Sequence, residues 1–220
     1  MSVNTSLLAT GTKQAIRSTA VLMAICGILF PLVITLLSGF IFPFQANGSL
    51  LTIDDEVIGS QIVGQEFTED CYLHGRPSAV HYNTYHEDEN GTLVYSDGSE
   101  YGGVSSGSNN YANSNPALAE RIEADLEVFL EENPTVRQED IPTELLLASG
   151  SGLDPHISPA SADVQVDRIV KASGLSEDTV RDIIAENTHA KGLGILGEET
   201  VHVLHVNAEI MVAMEEAGLN

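Results

Sequence analysis

From Ala20 to Phe44 the chain reads AVLMAICGILFPLVITLLSGFIFPF, a run with no charge in which only Thr35 and Ser38 are polar. Crossing a hydrocarbon core takes about 20 apolar residues, so the run predicts a membrane span with some tilt. Lipid offers the backbone no partners, so the span must be helical. Pro31 falls mid-span and removes one rung, which predicts a kink. A secretory leader would carry an apolar region of about 7–15 residues ending in a small-residue cleavage site. This run is longer, and the residues around Gln45 make a poor site, so a retained anchor is expected. Cys26 lies too deep in the run, after Ile25, to read as a lipid-anchor cysteine.

Charge sets the expected orientation. Lys13 and Arg17 precede the run with no acidic residue beside them, and Asp54, Asp55 and Glu56 are the first charges after it. The positive-inside bias then places residues 1–19 in the cytoplasm, residues 20–44 in the cell membrane as a single pass, and residues 45–220 outside the cell.

The whole chain has 220 residues and 23.5 kDa, with 9 basic against 32 acidic side chains, net −23. Lys13 and Arg17 are the only charges of residues 1–44, so residues 45–220 keep 7 basic and 32 acidic side chains, net −25. Such a surface argues against direct nucleic-acid binding, which needs Lys and Arg to release counterions. It excludes a polybasic membrane-surface patch on the same grounds. The acids are spread through every segment rather than clustered. That distribution reads as a hydrated surface adapted to high salt, where self-repulsion is screened. Cys71 is the only cysteine outside the span, so no disulfide within the outer domain is expected.

Residues 45–60 read as a connector, and residues 62–67 as a short extended segment around Gly64. Residues 72–115 are rich in Gly, Ser, Asn and Tyr without helical period, which predicts a long loop region with hairpin-like turns. The C-terminal part changes character. Asn115 caps a helix opened by Pro116, with Leu118, Ile122, Leu126, Phe129 and Leu130 recurring at helical spacing. Pro142 opens a short helix through Leu147. Ser158-Pro159 opens another with Val166, Ile169 and Val170 inward, ending at Gly174. Ser176 caps a third. Gly192, Gly194 and Gly197 mark a flexible joint, Val201–Val206 reads as a strand, and Asn207 as the cap of a last helix. The expected fold is a helix-rich α/β (α+β) extracytoplasmic domain anchored by one N-terminal transmembrane helix, with residues 116–220 mainly helical and carrying a short strand.

Few residues suggest reaction chemistry. Gly103–Gly107 fits G-x-S-x-G, but a nucleophile elbow needs an apolar strand before it and a helix after it. His202 and His205, on a strand, would point to opposite faces and not share a metal. Ser151, Asp154 and His156 can be drawn as a triad only by sequence proximity. Ser149-Gly150-Ser151-Gly152 is glycine-rich yet lacks the Lys-Ser/Thr of a P-loop, and reads as a tight turn. No catalytic or metal residues are assigned. Arg76 is the only basic residue (His aside) between Arg17 and Arg121. In so acidic a domain it reads as internally paired, organising the Tyr/Asn/Gly loop, or as holding a partner's carboxylate.

The order of these segments has a counterpart. An N-terminal anchor is followed by His74-Gly75-Arg76-Pro77-Ser78-Ala79 and Tyr82-Asn83, then Ser106-Gly107-Ser108-Asn109 and Ser114-Asn115-Pro116. Ile141-Pro142 follows, then residues 147–162, which read Leu-Ala-Ser-Gly-Ser-Gly-Leu-Asp-Pro-His-Ile-Ser-Pro-Ala-Ser-Ala, and the closing Val203-Leu204-His205-Val206-Asn207. The chain resembles, over nearly its whole length, the C subunit family of Kdp-type potassium-transporting ATPases. It departs in a longer stretch from Thr84 to Tyr101, and in Ser-Gly-Ser-Asn where the family has Ser-Gly-Gly-Ser-Asn. With its acidity, the resemblance suggests a haloarchaeal member.

The resemblance implies a non-catalytic accessory subunit. Its partners would be a potassium-channel-like subunit, a P-type ATPase subunit and the lipid bilayer, with ATP and K⁺ used by the complex. It implies a role in assembly and as a catalytic chaperone raising the ATPase subunit's affinity for ATP. The outer placement and the charge argue against a nucleotide bound directly by this domain. Arg76, Pro77, Ser78, Tyr82, Asn83, Ser108 and Asn109 are candidates for partner contact or loop organisation. Ser149, Gly150, Ser151, Gly152, Leu153, Asp154, Pro155, Ser158, Pro159 and Asn207 form the family signature. In the membrane, Gly27 and Ser38-Gly39 would allow close helix approach. Readings from other classes are a membrane-anchored extracellular binding module and an anchored exoenzyme, the latter requiring a preorganised acid/base or nucleophile pair.

Overall fold

A computed structural model describes residues 5–219. The first four residues of the expected cytoplasmic N-terminus and residue 220 lie outside the described residues. The chain divides into two units that part between Leu50 and Leu51.

In the first unit, α1 (Thr5–Ala24) runs into a π turn (Ile25–Leu29) and on into α2 (Phe30–Ile41), followed by the short α3 (Pro43–Ala46). Thr10–Ile41 is long and apolar enough to cross a membrane by length and composition. The helix thus begins well before Ala20. The expected break at Pro31 takes the form of the π turn, where the Phe30 N–H reaches back to the Ile25 carbonyl. That wide turn accommodates the missing proline donor one turn ahead of the ring. The Ser38 hydroxyl donates to the Thr35 carbonyl at 3.1 Å, which satisfies it without a partner helix.

A hairpin, β1 (Leu50–Ile53) and β2 (Glu56–Ser60), stands where a connector was expected. Asp54 and Asp55, at φ 50° and 66°, supply its left-handed turn, a conformation acidic and amide side chains tolerate. The long loop region holds one antiparallel pair of two-residue strands, β3 (His86–Glu87) and β4 (Leu93–Val94), in keeping with the hairpin-like turns expected there. Next comes α4 (Pro116–Glu132), whose cap Asn115 accepts from the Ala117 N–H at 3.1 Å. The helix expected from Pro142 is a single 3₁₀ turn, Thr143–Leu146.

Beyond it lie β5 (His156–Ile157), α5 (Pro159–Asp163), α6 (Val166–Ser173), α7 (Glu177–Glu186), β6 (Thr188–His189), β7 (Thr200–His202) and α8 (Val203–Glu216). Three strands form an antiparallel sheet in the order β5-β7-β6, where one short strand was expected. The helix expected from Pro159 to Gly174 is two helices broken at Val164-Gln165, and Gly174 ends the second at φ 74°.

The strand expected over Val201–Val206 stops at His202. The imidazole of His202 accepts from the His205 N–H at 3.3 Å and starts α8 one residue later. Val203, Leu204 and Val206 are all buried, and a helix buried on most faces loses the periodicity that marks it. Asn207 therefore sits inside α8 rather than capping it. The core gathers Val166, Ile169, Val180, Val201, Val206 and Ile210, which are almost wholly buried, with Leu73 reaching in from the loop region. A smaller cluster joins Phe129, Ile141 and Leu145. Helices set against a small antiparallel sheet make this an α+β domain.

Candidate functional site

The residues singled out in the sequence fall mostly into one place, where residues 74–83 run against residues 147–155. Arg76 joins the two. Its Nη1 donates to Asp154 Oδ2 at 3.2 Å and its Nη2 to the Leu147 carbonyl at 3.3 Å. The Asp154 carboxylate also accepts the His156 N–H at 3.1 Å. Ser149 N–H bonds the Pro77 carbonyl at 3.2 Å, and Ser78 Oγ donates to the Gly152 carbonyl at 2.7 Å. The same Ser78 oxygen accepts from Val80 N–H at 3.2 Å and Tyr82 N–H at 3.0 Å.

That serine braces a strained turn. His81, Tyr82 and Asn83 all take left-handed backbone angles, φ 48°, 50° and 56°, at about 1–2 kcal/mol each. Their side chains are used in return. Tyr82 Oη donates to the Arg76 carbonyl at 2.7 Å. Burial raises the Tyr82 phenol far above its usual range, with the Asp154 carboxylate adding to the rise. Asn83 pairs both ways with the backbone of Ser105, at 2.9 Å each. His81 stacks on Tyr95 with centroids 4.8 Å apart.

The glycine-rich turn is closed internally. Gly152 N–H bonds Ser149 Oγ at 2.8 Å and Leu153 N–H bonds Ser151 Oγ at 3.1 Å. Gly152, at φ 67°, permits approach to Gly107, since a Cβ there would meet the Gly107 carbonyl at 2.8 Å and Val80 Cγ2 at 2.6 Å. Gly107 N–H in turn bonds the Ser151 carbonyl at 2.7 Å. Gly150 has open space where a Cβ would lie. The Leu153 and Pro155 carbonyls accept from Gly64 N–H at 2.9 Å and Val203 N–H at 3.0 Å. Ser158 caps α5, with Pro159 at its first turn, and its N–H donates to Glu144 at 2.7 Å. Ser161 Oγ also donates to Glu144. Burial alone would raise the Glu144 carboxyl, but the bonds from Ser158 and Ser161 outweigh it and hold it below its usual range.

Asn207 lies apart from this turn and does a related job. Its amide accepts from Leu73 N–H at 2.7 Å and donates to the Leu73 carbonyl at 2.9 Å. Gln165 does the same for His74, at 2.9 and 3.1 Å. Arg168 completes the seam by donating to the Asp70 and Tyr72 carbonyls at 2.8 and 3.0 Å and to Gln165 at 2.7 Å. Burial pulls its guanidinium below the usual range. Gln165, Arg168 and Glu144 were not picked out from the sequence. The available signal was Arg168 itself, a cation beside Ile169 in so acidic a chain. Ser108 and Asn109 stand outside the assembly: the Ser108 carbonyl accepts from the Asn110 amide at 2.9 Å, and Asn109 is exposed.

Beside the Arg76 seam is an open cleft of about 310 Å³, bordered by Glu66, His74, Arg76, Tyr82, Asp125 and Glu132. His74 Nδ1 lies 3.4 Å from Glu132, whose carboxyl is lowered chiefly by that hydrogen bond. Burial raises Glu66 and Asp125. Acids are thus present, and Ser78, the serine that borders the cleft, spends its hydroxyl on the Gly152 carbonyl and on the Val80 and Tyr82 N–H groups rather than on a histidine. Ser151 Oγ accepts a backbone N–H instead, and Ser105, in the G-x-S-x-G stretch, is tied to Asn83 in an irregular loop. His202 and His205, expected on opposite faces, have rings stacked with centroids 4.0 Å apart, because the helix starts between them.

The architecture is thus one helix long and apolar enough to cross a membrane, followed by an α+β domain whose distinctive residues hold backbone segments together. The family model described as KdpC, K⁺-transporting ATPase c chain, matches residues 12–211. A potassium-transporting ATPase KdpC subunit of Clostridium kluyveri is 50% identical over 209 residues, 95% of each chain. That of Clostridioides difficile is 49% identical over 199 residues, 90% of this chain and 95% of the relative. That of Caldanaerobacter subterraneus is 39% identical over 199 residues, 90% and 93%. The chain belongs to the KdpC family of K⁺-transporting ATPase subunits.

Proposed function

We propose that this chain is a non-catalytic accessory subunit that stabilises and assembles a K⁺-transporting ATPase, held in the membrane by its N-terminal helix with residues 45–220 on the outer side. Its partners are a channel-like subunit that takes K⁺ and a P-type subunit that hydrolyses ATP. Family membership over nearly the full chain is the observation that carries this reading. The seam geometry supports it, because the signature residues spend their polar groups on holding loops in shape, as a docking domain requires.

A role in raising the ATP affinity of the complex then acts indirectly, through assembly. The Ser149–Gly152 turn is a poor phosphate cradle, since the Ser149, Gly152 and Leu153 amides are already bonded. Net −25 also opposes a polyanion. The outer placement rests on Lys13 and Arg17 against Asp54, Asp55 and Glu56; a C-terminal tag should be reachable by antibody on intact cells, and a tag exposed only after lysis overturns it.

The test of function is purification of the tagged full-length chain from its own membrane in mild detergent, with ATP hydrolysis assayed with and without K⁺. Two larger co-purifying subunits with K⁺-stimulated activity are expected. The chain emerging alone, without ATPase, would leave an anchored binding module as the better reading.

A further inference from the structure

Between β6 and β7 the chain reads Lys191-Gly192-Leu193-Gly194-Ile195-Leu196-Gly197-Glu198-Glu199. It is a built turn. Gly192 N–H donates to the Leu196 carbonyl at 2.7 Å, Leu196 N–H returns to the Gly192 carbonyl at 2.9 Å, and Gly194 N–H bonds the Lys191 carbonyl at 2.9 Å. Gly194 and Gly197 supply φ of 76° and 79°, and Leu193 itself takes 52°, a conformation a leucine adopts only at a cost. Lys191 and Glu198 close the base as an ion pair at 3.4 Å.

This turn carries its apolar side chains outward. Leu193 is 91% exposed, Ile195 81% and Leu196 61%. The domain has a core that takes aliphatics almost completely out of water, yet these three are held away from it by a closed ladder with three glycines, Gly192, Gly194 and Gly197. Aliphatic side chains presented on a preorganised turn lose little conformational freedom on docking and have the character of an interface anchor.

We infer that this turn is a plug that seats in an apolar crevice, rimmed by basic side chains, on another subunit of the transporting complex. The inference rests on the accessory-subunit reading. Charge chooses among occupants. Glu198 and Glu199 follow the tip directly, and the domain around it is strongly acidic, so an anionic lipid surface repels it. The tip also lacks the Trp, Tyr, Lys and Arg that anchor a loop at headgroups. A second copy would bring the same acids against the first. A different chain with an apolar socket and a basic rim satisfies both features, the aliphatics at the centre and the glutamates at the edge.

The experiment uses the full-length tagged chain produced together with its other complex subunits. Leu193→Ser with Ile195→Ser should lower the amount of the larger subunits retained about tenfold or more, with the unfolding midpoint of the variant unchanged. Glu198→Lys with Glu199→Lys should weaken retention most at low salt. A photo-crosslinking residue at position 195 of the otherwise native chain should give an adduct that maps to one larger subunit, which reads the contact even if the serine variant folds poorly. Wild-type retention by the serine variant, or adducts only with lipid or with a second copy of this chain, would overturn the plug while leaving the accessory-subunit reading in place. A wild-type chain that retains no larger subunit overturns both.

Discussion

The two parts of the second unit are held together by different physics. Residues 116–219 pack Val166, Ile169, Val180, Val206 and Ile210 out of water, and their helices follow from that. Residues 61–115 bury little: among the described residues, Leu73 and Val94 are the large aliphatics there that are buried. Their shape comes from single directed bonds, such as Ser78 to Gly152, Arg76 to Asp154 and Asn83 to Ser105, and from glycines where backbones meet. Apolar packing is cooperative and tolerant of detail. A polar seam is local, and each missing bond leaves a partner unsatisfied.

That contrast is most exposed by a core truncation. Ile169→Ala should cost about 2–5 kcal/mol, the range for deleting a fully buried aliphatic, measured by denaturant unfolding followed by far-UV circular dichroism. The whole second unit should lose stability together. On the other side, Gly152→Ala sets a Cβ against the Gly107 carbonyl at 2.8 Å and at φ 67°. Its cost should be smaller, on the order of 1–2 kcal/mol, and local. Amide exchange should quicken over residues 74–83 and 103–109 while α6, α7 and α8 keep their protection. If Gly152→Ala instead deprotects the helices as much as Ile169→Ala does, the two parts are one cooperative structure and the comparison fails.

How much could be read in advance follows the same division. The caps Asn115, Ser158 and Ser176, and the stop at Gly174, are legible because capping is a local contract between neighbours in sequence. The internal pairing of Arg76 is legible because a lone cation in so acidic a chain must find a carboxylate, and it finds Asp154. The start of α8 is not, because Val201–Val206 suits a strand as well as a buried helix, and the deciding bond is from one histidine to a backbone three residues on. The break at Gln165 is hidden for a longer-range reason: its amide serves His74, 91 positions away in sequence. Bonds of that span leave no periodicity to read.

Acid should act first at the joint where strand meets helix. His156, His202 and His205 are all lowered, by burial first. His202 and His156 have ring centroids 5.0 Å apart, and His189 lies 6.4 Å from His156. Asp154 Oδ1 lies 3.9 Å from His156 Nδ1, and Glu144, Glu198 and Glu199 line the same cavity as His156. His202 donates to the Gln61 carbonyl at 2.8 Å from Nε2, so Nδ1 must be unprotonated to accept at α8. A proton there destroys the cap and sets a positive charge at a helix N-terminus. The folded histidines bind protons less readily than unfolded ones. Their contribution is therefore complete above about pH 6.5 and is lost as pH falls below it toward the lowered values. Glu66 and Asp125, raised by burial, work the other way at lower pH. The melting temperature should fall between about pH 7.5 and 5.5. His202→Asn, which keeps a good neutral cap, should flatten that fall, and a slope equal to the wild type would show that the cap is not the responsive element.

Salt should have the smallest effect and the opposite character to most surface electrostatics. The exposed pairs Arg137 with Asp140 at 2.8 Å and Arg181 with Asp163 and Glu177 weaken on screening, each contributing little in water to begin with. Against them stand 32 acidic side chains and 7 basic ones in residues 45–220, whose mutual repulsion weakens too. Asp88 and Asp97 remain charged throughout, because bonds from Thr92 and Asn90 to the first, and from Ser99 to the second, hold their carboxyls below the usual range. Repulsion outnumbers attraction, so moving from about 0.1 M to about 1 M KCl, which shortens the screening length from about 10 Å to about 3 Å, should raise the melting temperature by a few degrees. The loop part should tighten more than the helical part, since Glu87, Asp88, Glu89, Asp97 and Glu100 face little apolar burial that could hold them together. Choline chloride at equal strength separates screening from a specific demand for K⁺. A melting temperature that falls with both salts would mean that the few ion pairs outweigh the many repelling acids, and would remove the case for a surface adapted to high salt.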